Sequence, residues 1–160
     1  GRLKVQGKKI EVKGFDLGEI IKTTELPMTY NAKLERLKYY SKYGETTFSD
    51  LKGRVDFVNG LAAFEDFVFE NNRAKGIYVG RVNYINNIVN SIARISFIPS
   101  GFNTVLTVNM TSKGQLANQV FGADMNEISR FLQTRSGDYQ KFLQEEEERK
   151  SRSLIRNRRL

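Results

Sequence analysis

The 160-residue chain has no cysteine, no histidine, no tryptophan and only two prolines. Each absence excludes a class of chemistry. Without Cys and His there is no Cys/His zinc site and no Ser-His or Cys-His nucleophile pair. Zero Cys is compatible with an oxidising compartment without requiring one. No apolar run approaches the roughly 20 residues that span a bilayer as a helix, and no signal-peptide pattern opens the chain. Gly76-x-x-x-Gly80 has neither the spacing nor the following helix of a phosphate-binding fingerprint. The acid pairs Asp16/Glu19 and Glu65/Asp66 have no nucleophile or metal cluster to work with. The sequence therefore predicts a non-enzymatic protein with no cofactor and no metal.

What is present is a composition ordinary for a folded chain, 39% hydrophobic and 28% charged. The length suits one domain with a real core. Net charge is +8, a sign that attracts nucleic acid or an anionic membrane surface and that also serves plain solubility. Glu145 to Glu148 are all acidic, and Arg149 to Leu160 hold six Lys/Arg and no acid. The rest of the chain is basic as well, so the excess is spread. A domain over residues 1–144 and a charged tail without fixed structure over 145–160 are expected. The chain begins with Gly and opens at once in a strand-like pattern, which reads as a piece of a longer protein.

The chain is organised around residues 53–98. Asn59-Gly60 between two β-favouring runs is a strong hairpin signal, because both turn residues must tolerate positive φ. A two-residue loop there sets Val58 opposite Leu61, Phe57 opposite Ala62, Val55 opposite Phe64 and, on the other face, Arg54 opposite Glu65. Phe67 and Phe69 have the opposite parity to Phe64. Either a bulge near Glu65-Asp66 switches the face, or the two rings point elsewhere. Asn86-Asn87 offers a second two-residue turn, pairing Tyr84 with Val89, Val82 with Ser91, Gly80 with Ala93, Tyr78 with Ile95 and Gly76 with Phe97. One face of this hairpin is then apolar, and the other carries Lys75, Arg81 and Arg94.

Around this ladder, Leu3/Val5 and Ile10/Val12 read as two short strands about Gly7-Lys8. Residues 14–22 read as a short helix capped by Asp16, with Glu19 completing a capping box. Residues 28–37 alternate like a strand in places but also carry helical spacing at Leu34 and Leu37. Residues 44–47 read as a loop, 71–74 as a turn, and Pro99-Ser100-Gly101 as the end of the ladder. Thr104 to Met110 is another strand. Asp124 to Gln133 is a helix with Met125, Ile128, Phe131 and Leu132 on one face, and Ser136-Gly137-Asp138 starts a last helix. The fold class predicted is mainly β with a few helices. It is an antiparallel twisted sheet or β-groove, with a short helix near the N-terminus and helices at the C-terminal end.

Several short motifs resemble the C-terminal region of the AsmA-like family of bacterial envelope proteins. They are Phe48-Ser49-Asp50-Leu51-Lys52-Gly53, Val55-x-Phe57-x-Asn59-Gly60, Phe67-Val68-Phe69, Ala74-Lys75-Gly76 with Gly80-Arg81-Val82-Asn83-Tyr84, and Ile92 to Pro99. Upstream, Gly14-Phe15-Asp16-Leu17-Gly18 is similar to the family's short helix. The resemblance covers about residues 10 to 110. It departs at the Tyr- and Lys-rich stretch 38–43 and does not reach 111–160. It implies a β-groove with an apolar floor in the bacterial cell envelope, on the periplasmic side. Attachment to the inner membrane would run through a part of the parent outside this chain. It also implies that the protein holds or conducts phospholipid or supports outer-membrane assembly. The tentative lipid-contacting residues are Tyr78, Val82, Tyr84, Val89, Ile95 and Phe97, with Gly60, Gly76 and Gly80 as turn and groove glycines.

Plainer readings compete with each of these. An ordinary core shows such a face too, and glycines in strands more often mark bulges or turns than grooves. Tyr39, Tyr40 and Tyr43 beside Lys38 and Lys42 suit stacking on single-stranded nucleic acid or a membrane interface, as well as an ordinary surface. The expected partners are phospholipid or a membrane surface and the rest of the parent chain. Nucleic acid, or a scaffold role through edge strands, is the alternative.

Overall fold

The structure, a computed structural model, describes residues 1–159. Strand β1 (Arg2–Lys13) leads into helices α1 (Leu17–Glu25) and α2 (Tyr30–Tyr40). Then come β2 (Glu45–Val58), β3 (Leu61–Glu70), β4 (Ala74–Asn83), β5 (Ile88–Phe97), β6 (Leu106–Gln115) and β7 (Asn118–Asp124). Helices α3 (Asn126–Thr134) and α4 (Asp138–Arg158) close the order. The seven strands form one sheet in chain order, each antiparallel to the next. The mainly β, antiparallel architecture with flanking helices is thus the one expected.

The first hairpin follows the register read from its turn. Val58 faces Leu61, Val55 faces Phe64 and Arg54 faces Glu65, with Asn59 at φ 47° and Gly60 at φ 80°. The Arg54 guanidinium meets the Glu65 carboxylate at 3.2 Å. The parity conflict in β3 resolves as a bulge. Pairing with β4 jumps from Phe64↔Gly80 to Phe67↔Tyr78, and Asp66 takes φ 55°. The extra residue turns Phe64, Phe67 and Phe69 to one face.

The second hairpin differs from expectation. Its turn is not a two-residue Asn86-Asn87 loop but the four residues between Asn83 and Ile88, so Val82 faces Val89, Gly80 faces Ser91, Tyr78 faces Ala93 and Gly76 faces Ile95. Asn83 causes the early turn: its Oδ1 accepts the N–H of Ile85 at 3.0 Å and of Asn86 at 3.3 Å. Tyr84 N–H is also taken by Gly60 O at 3.0 Å in the neighbouring turn. The register moves by two residues, an even number, and each side chain keeps its face.

Three further expectations change, and one stretch read both ways, 28–37, takes its helical reading. β1 is one strand rather than two, kinked at Lys9 (φ 56°). Residues 30–40 are helical because the Thr29 hydroxyl caps Ala32 N–H at 3.2 Å. β2 already begins at Glu45, where a loop was expected, because β1 pairs it from Lys13↔Glu45 onward. Past residue 145, where no fixed structure was expected, α4 continues as helix to Arg158. Its residues are strong helix formers, with Arg149–Glu146 and Arg152–Glu148 pairs one turn apart within each pair. No residue of α4 is buried. Strand β7 was not anticipated; it lies at the sheet edge, with Val120 and Phe121 exposed.

One face of the sheet holds the core. At one end α1, α2 and α3 bury Leu17, Ile20, Leu37, Ile128 and Leu132 against Phe97, Leu106 and Val108. Asp16 caps α1 through Glu19 N–H at 2.9 Å, as expected. The buried Thr46 hydroxyl joins β2 to that helix, accepting Leu17 N–H at 2.9 Å and donating to Phe15 O at 3.0 Å. Glu25 ties the other end of α1 to two loops, accepting Ser100 N–H at 2.7 Å and the Arg73 guanidinium. Burial alone would raise the Glu25 pKa, but these donors outweigh it and hold the carboxyl below its ordinary value.

Two glycines let aromatic rings lie against the sheet. A Cβ on Gly53 would stand 2.3 Å from the Phe67 ring, and one on Gly76 would stand 2.0 Å from the Phe69 ring. Gly53→Ala and Gly76→Ala should each destabilise the fold by about 1–3 kcal/mol in urea unfolding. Gly137→Ala, whose Cβ meets nothing within 4 Å, should leave the midpoint in place. Glu25→Gln should lower the melting temperature at neutral pH. A carboxyl with a depressed folded pKa stabilises above its unfolded value, about 4.3, and loses that contribution as pH falls through the folded one. The difference between wild type and variant should therefore close in melts run toward acid pH.

Candidate functional site

Between the helix-covered end of the core and the hairpin turns, the same sheet face is not filled. A cleft of about 290 Å³ lies there, lined by side chains from all seven strands. Ile10 and Val12 of β1 share it with Phe121 of β7, although those strands stand at opposite edges of the sheet. The sheet must therefore curl until its edges approach one cavity, without β1 and β7 pairing.

Cross-strand rows build the walls. Nearest the helices run Phe69, Gly76, Ile95 and Val108, and next Phe67, Tyr78, Ala93, Met110 and Ala123. The third row is Phe64, Gly80, Ser91, Ser112 and Phe121, and the fourth is Ala62, Val82, Val89 and Gly114. Phenylalanine thus stands at the β3 side of the first three rows, while β4 to β6 set the short Gly76, Ala93, Gly80, Ser91 and Ser112 among the larger Ile95, Val108, Tyr78 and Met110. The short positions leave the space. Phe48 and Phe69 close the helix end, ring centroids 4.5 Å apart, and Phe64, Phe67 and Tyr78 meet edge-on or tilted at 5.6–6.3 Å.

The residues singled out from the sequence fall in three places. Tyr78 and Ile95 line the cleft. Val82 and Val89 face each other one row beyond it, toward the turns. Phe97 lies in the core beneath the helices, and Tyr84 sits in the β4–β5 turn with half its surface exposed. Gly60 is a turn glycine at φ 80°. Gly76 and Gly80 are neither turn nor bulge residues but lie under the Phe69 and Tyr78 side chains. Residues not singled out include Ile10, Val12, Phe48, Leu51, Phe64, Phe67, Met110 and Phe121. The three β3 phenylalanines carried a signal, their parity switch. The β1 and β7 contributions depend on pairings and curl that no local pattern encodes.

Electrostatically the cleft is bare. No carboxylate lines it among the described residues, and Lys13 is its one cation, at the helix end beside Gly14. The opposite sheet face is different: Ile77, Val79 and Ile92 are exposed there, with Lys75, Arg81, Arg94 and Lys113 on the same side by strand alternation. A second gap of about 170 Å³ separates the α1–α2 connection from α3 and α4. The Arg135 guanidinium fills part of it, 4.6 Å from the Phe102 ring centre. Lys33 borders this gap, where burial lowers its pKa and its ammonium donates to Thr24 O at 3.2 Å. This gap reads as a packing seam.

On α2 and the turn after it, Tyr39 and Tyr43 are exposed, with ring centroids 4.9 Å apart. Tyr40 is held between Tyr39 and the Arg36 guanidinium, each about 5.1 Å from its ring centre. Lys38 is paired to Glu35. No group of acidic residues is placed to hold a metal, and no helix is long and apolar enough to cross a membrane, among the described residues. No family model, curated protein or solved structure matches this chain.

Proposed function

We propose that this domain holds one acyl chain of a phospholipid in the apolar cleft, without catalysing a reaction on it. It would do so as part of an AsmA-like envelope protein that handles lipid or supports outer-membrane assembly on the periplasmic side, tethered to the inner membrane by the rest of its parent. The observation that carries this reading is the cleft of about 290 Å³, walled by the apolar face of the curled sheet. That volume is at the lower edge of small-molecule sites, about 300–1,000 Å³, which suits a single chain. Each methylene removed from water contributes about 0.8 kcal/mol, so a chain is retained without polar chemistry. The exposed Ile77, Val79 and Ile92 among basic residues on the other face support a membrane surface as the place of work. The alternative, a basic nucleic-acid module, draws support from the exposed Tyr39 and Tyr43 beside Lys42.

Native mass spectrometry of the purified chain, followed by lipid extraction, should find one phospholipid per chain. Ala93→Leu, which fills the cleft from β5, should abolish that mass shift while leaving the melting temperature equal or higher. A bare wild-type mass, with no uptake from phosphatidylglycerol vesicles, would remove the reading. Salt-sensitive binding of single-stranded oligonucleotides, weakened by Tyr39→Ala, would put the alternative in its place.

A further inference from the structure

We infer that the third row of the cleft is a subsite for an uncharged acyl carbonyl, the ester oxygen of the chain held there; this rests on the lipid-holding reading above. Ser91 is 5% exposed, lies on the cleft wall and has no side-chain hydrogen bond to another described residue. Its Oγ is not sealed without a partner, as Arg54 Nε and Asn109 Oδ1 are, and so is open to bond to an occupant of the cleft. Its neighbour Ser112, directly across the β5–β6 ladder, spends its proton on Gln119 Oε1. On the other side Gly80 has no side chain, and the Tyr78 hydroxyl folds into the room this leaves. A Cβ on Gly80 would stand 3.0 Å from Tyr78 Oη and 2.6 Å from Ser91 Cβ. The hydroxyl-bearing side chains of Tyr78 and Ser91 therefore both flank one glycine, in a wall whose other hydroxyl residues are Thr111 and Ser112.

A carbonyl oxygen has two lone pairs and accepts from both donors. A carboxylate fits less well, since Lys13 lies at the far, helix end of the cleft and Arg81 and Lys113 alternate onto the opposite sheet face. An ionised group there would be desolvated without a counter-charge. The polar row therefore sets the depth to which the chain enters: methylenes among Phe67, Phe69, Ala93 and Met110, and carbonyl at Ser91.

Isothermal titration calorimetry with 1-decanoylglycerol, its ether analogue 1-O-decylglycerol and decanoic acid tests this. Wild type should bind the ester about three- to tenfold more tightly than the ether, the range one net hydrogen bond supplies. Ser91→Ala and Tyr78→Phe, each checked by thermal melt, should erase that preference. Equal ester and ether affinities in wild type, unmoved by either variant, would overturn the subsite while the groove stands. Decanoate binding more tightly than the ester, with salt sensitivity, would overturn it in favour of a charged head-group site. Failure of wild type to bind even the ether would remove the groove and the subsite together.

Discussion

Phe67 and Phe69 rest against Gly53 and Gly76, and the shape of the sheet depends on those two contacts. A large ring on a flat sheet stands away from it, and a side chain on the neighbouring strand keeps it there. With hydrogen at both glycines the rings settle onto the backbone of the adjacent strands instead. The bulge at Asp66 brings Phe64 to the same face as these rings, and bulges increase strand twist. β1 adds its own kink at Lys9. Glycine contacts, bulge and kink all act on the first four strands. There the curl carries Ile10 and Val12 round to the cavity that Phe121 reaches from the opposite edge.

The helices then decide how much of the curled face becomes core. α1 and α2 interrupt the meander between its first two strands, so they must fold back over the sheet before β2 can pair with β1. Asp16 N–H bonds to Tyr40 O at 2.9 Å and Gly14 N–H to Gly44 O at 3.0 Å, which fixes the helical pair to the strand ends that flank it. Thr46 joins them from the sheet side. α3 returns from the far edge to bury Ile128 and Leu132 in the same cluster. All three cover one end of the face, and the cluster they build extends to Met110 and Ala93 in the second row.

Much of this was legible where the chemistry is local. Asn59-Gly60 specified its hairpin because few residue pairs accept two positive φ values, and the Asp16 cap was readable because its acceptor lies three residues from the donor. The apolar face of β4 and β5 was readable even with the wrong register, since an error of two residues preserves parity. What was lost followed from longer reach. Asn83 starts its turn two residues earlier than the Asn86-Asn87 pair suggests, by a side-chain bond invisible to turn propensity. That slip placed Tyr84 on the ladder instead of in the turn. β7 escaped notice because an edge strand with Gly122 and exposed Val120 needs no apolar alternation. The β1–β2 ladder joins residues about 30 to 50 apart in the chain, a distance at which no local periodicity carries information.

The cleft and the core share one sheet face, and the difference between them is side-chain volume. Under the helices the row holds Ala74, Phe97 and Leu106, and the space is closed. Toward the turns the central positions are Ala93, then Gly80, Ser91 and Ser112. A leucine or two on β5 and β6 would fill the cleft with apolar side chains. The sheet instead keeps Ala93, Gly80, Ser91 and Ser112 along the cleft, with the Ser91 hydroxyl among them. Stability alone gives no reason for either choice, whereas an apolar chain bearing one polar oxygen gives a reason for both.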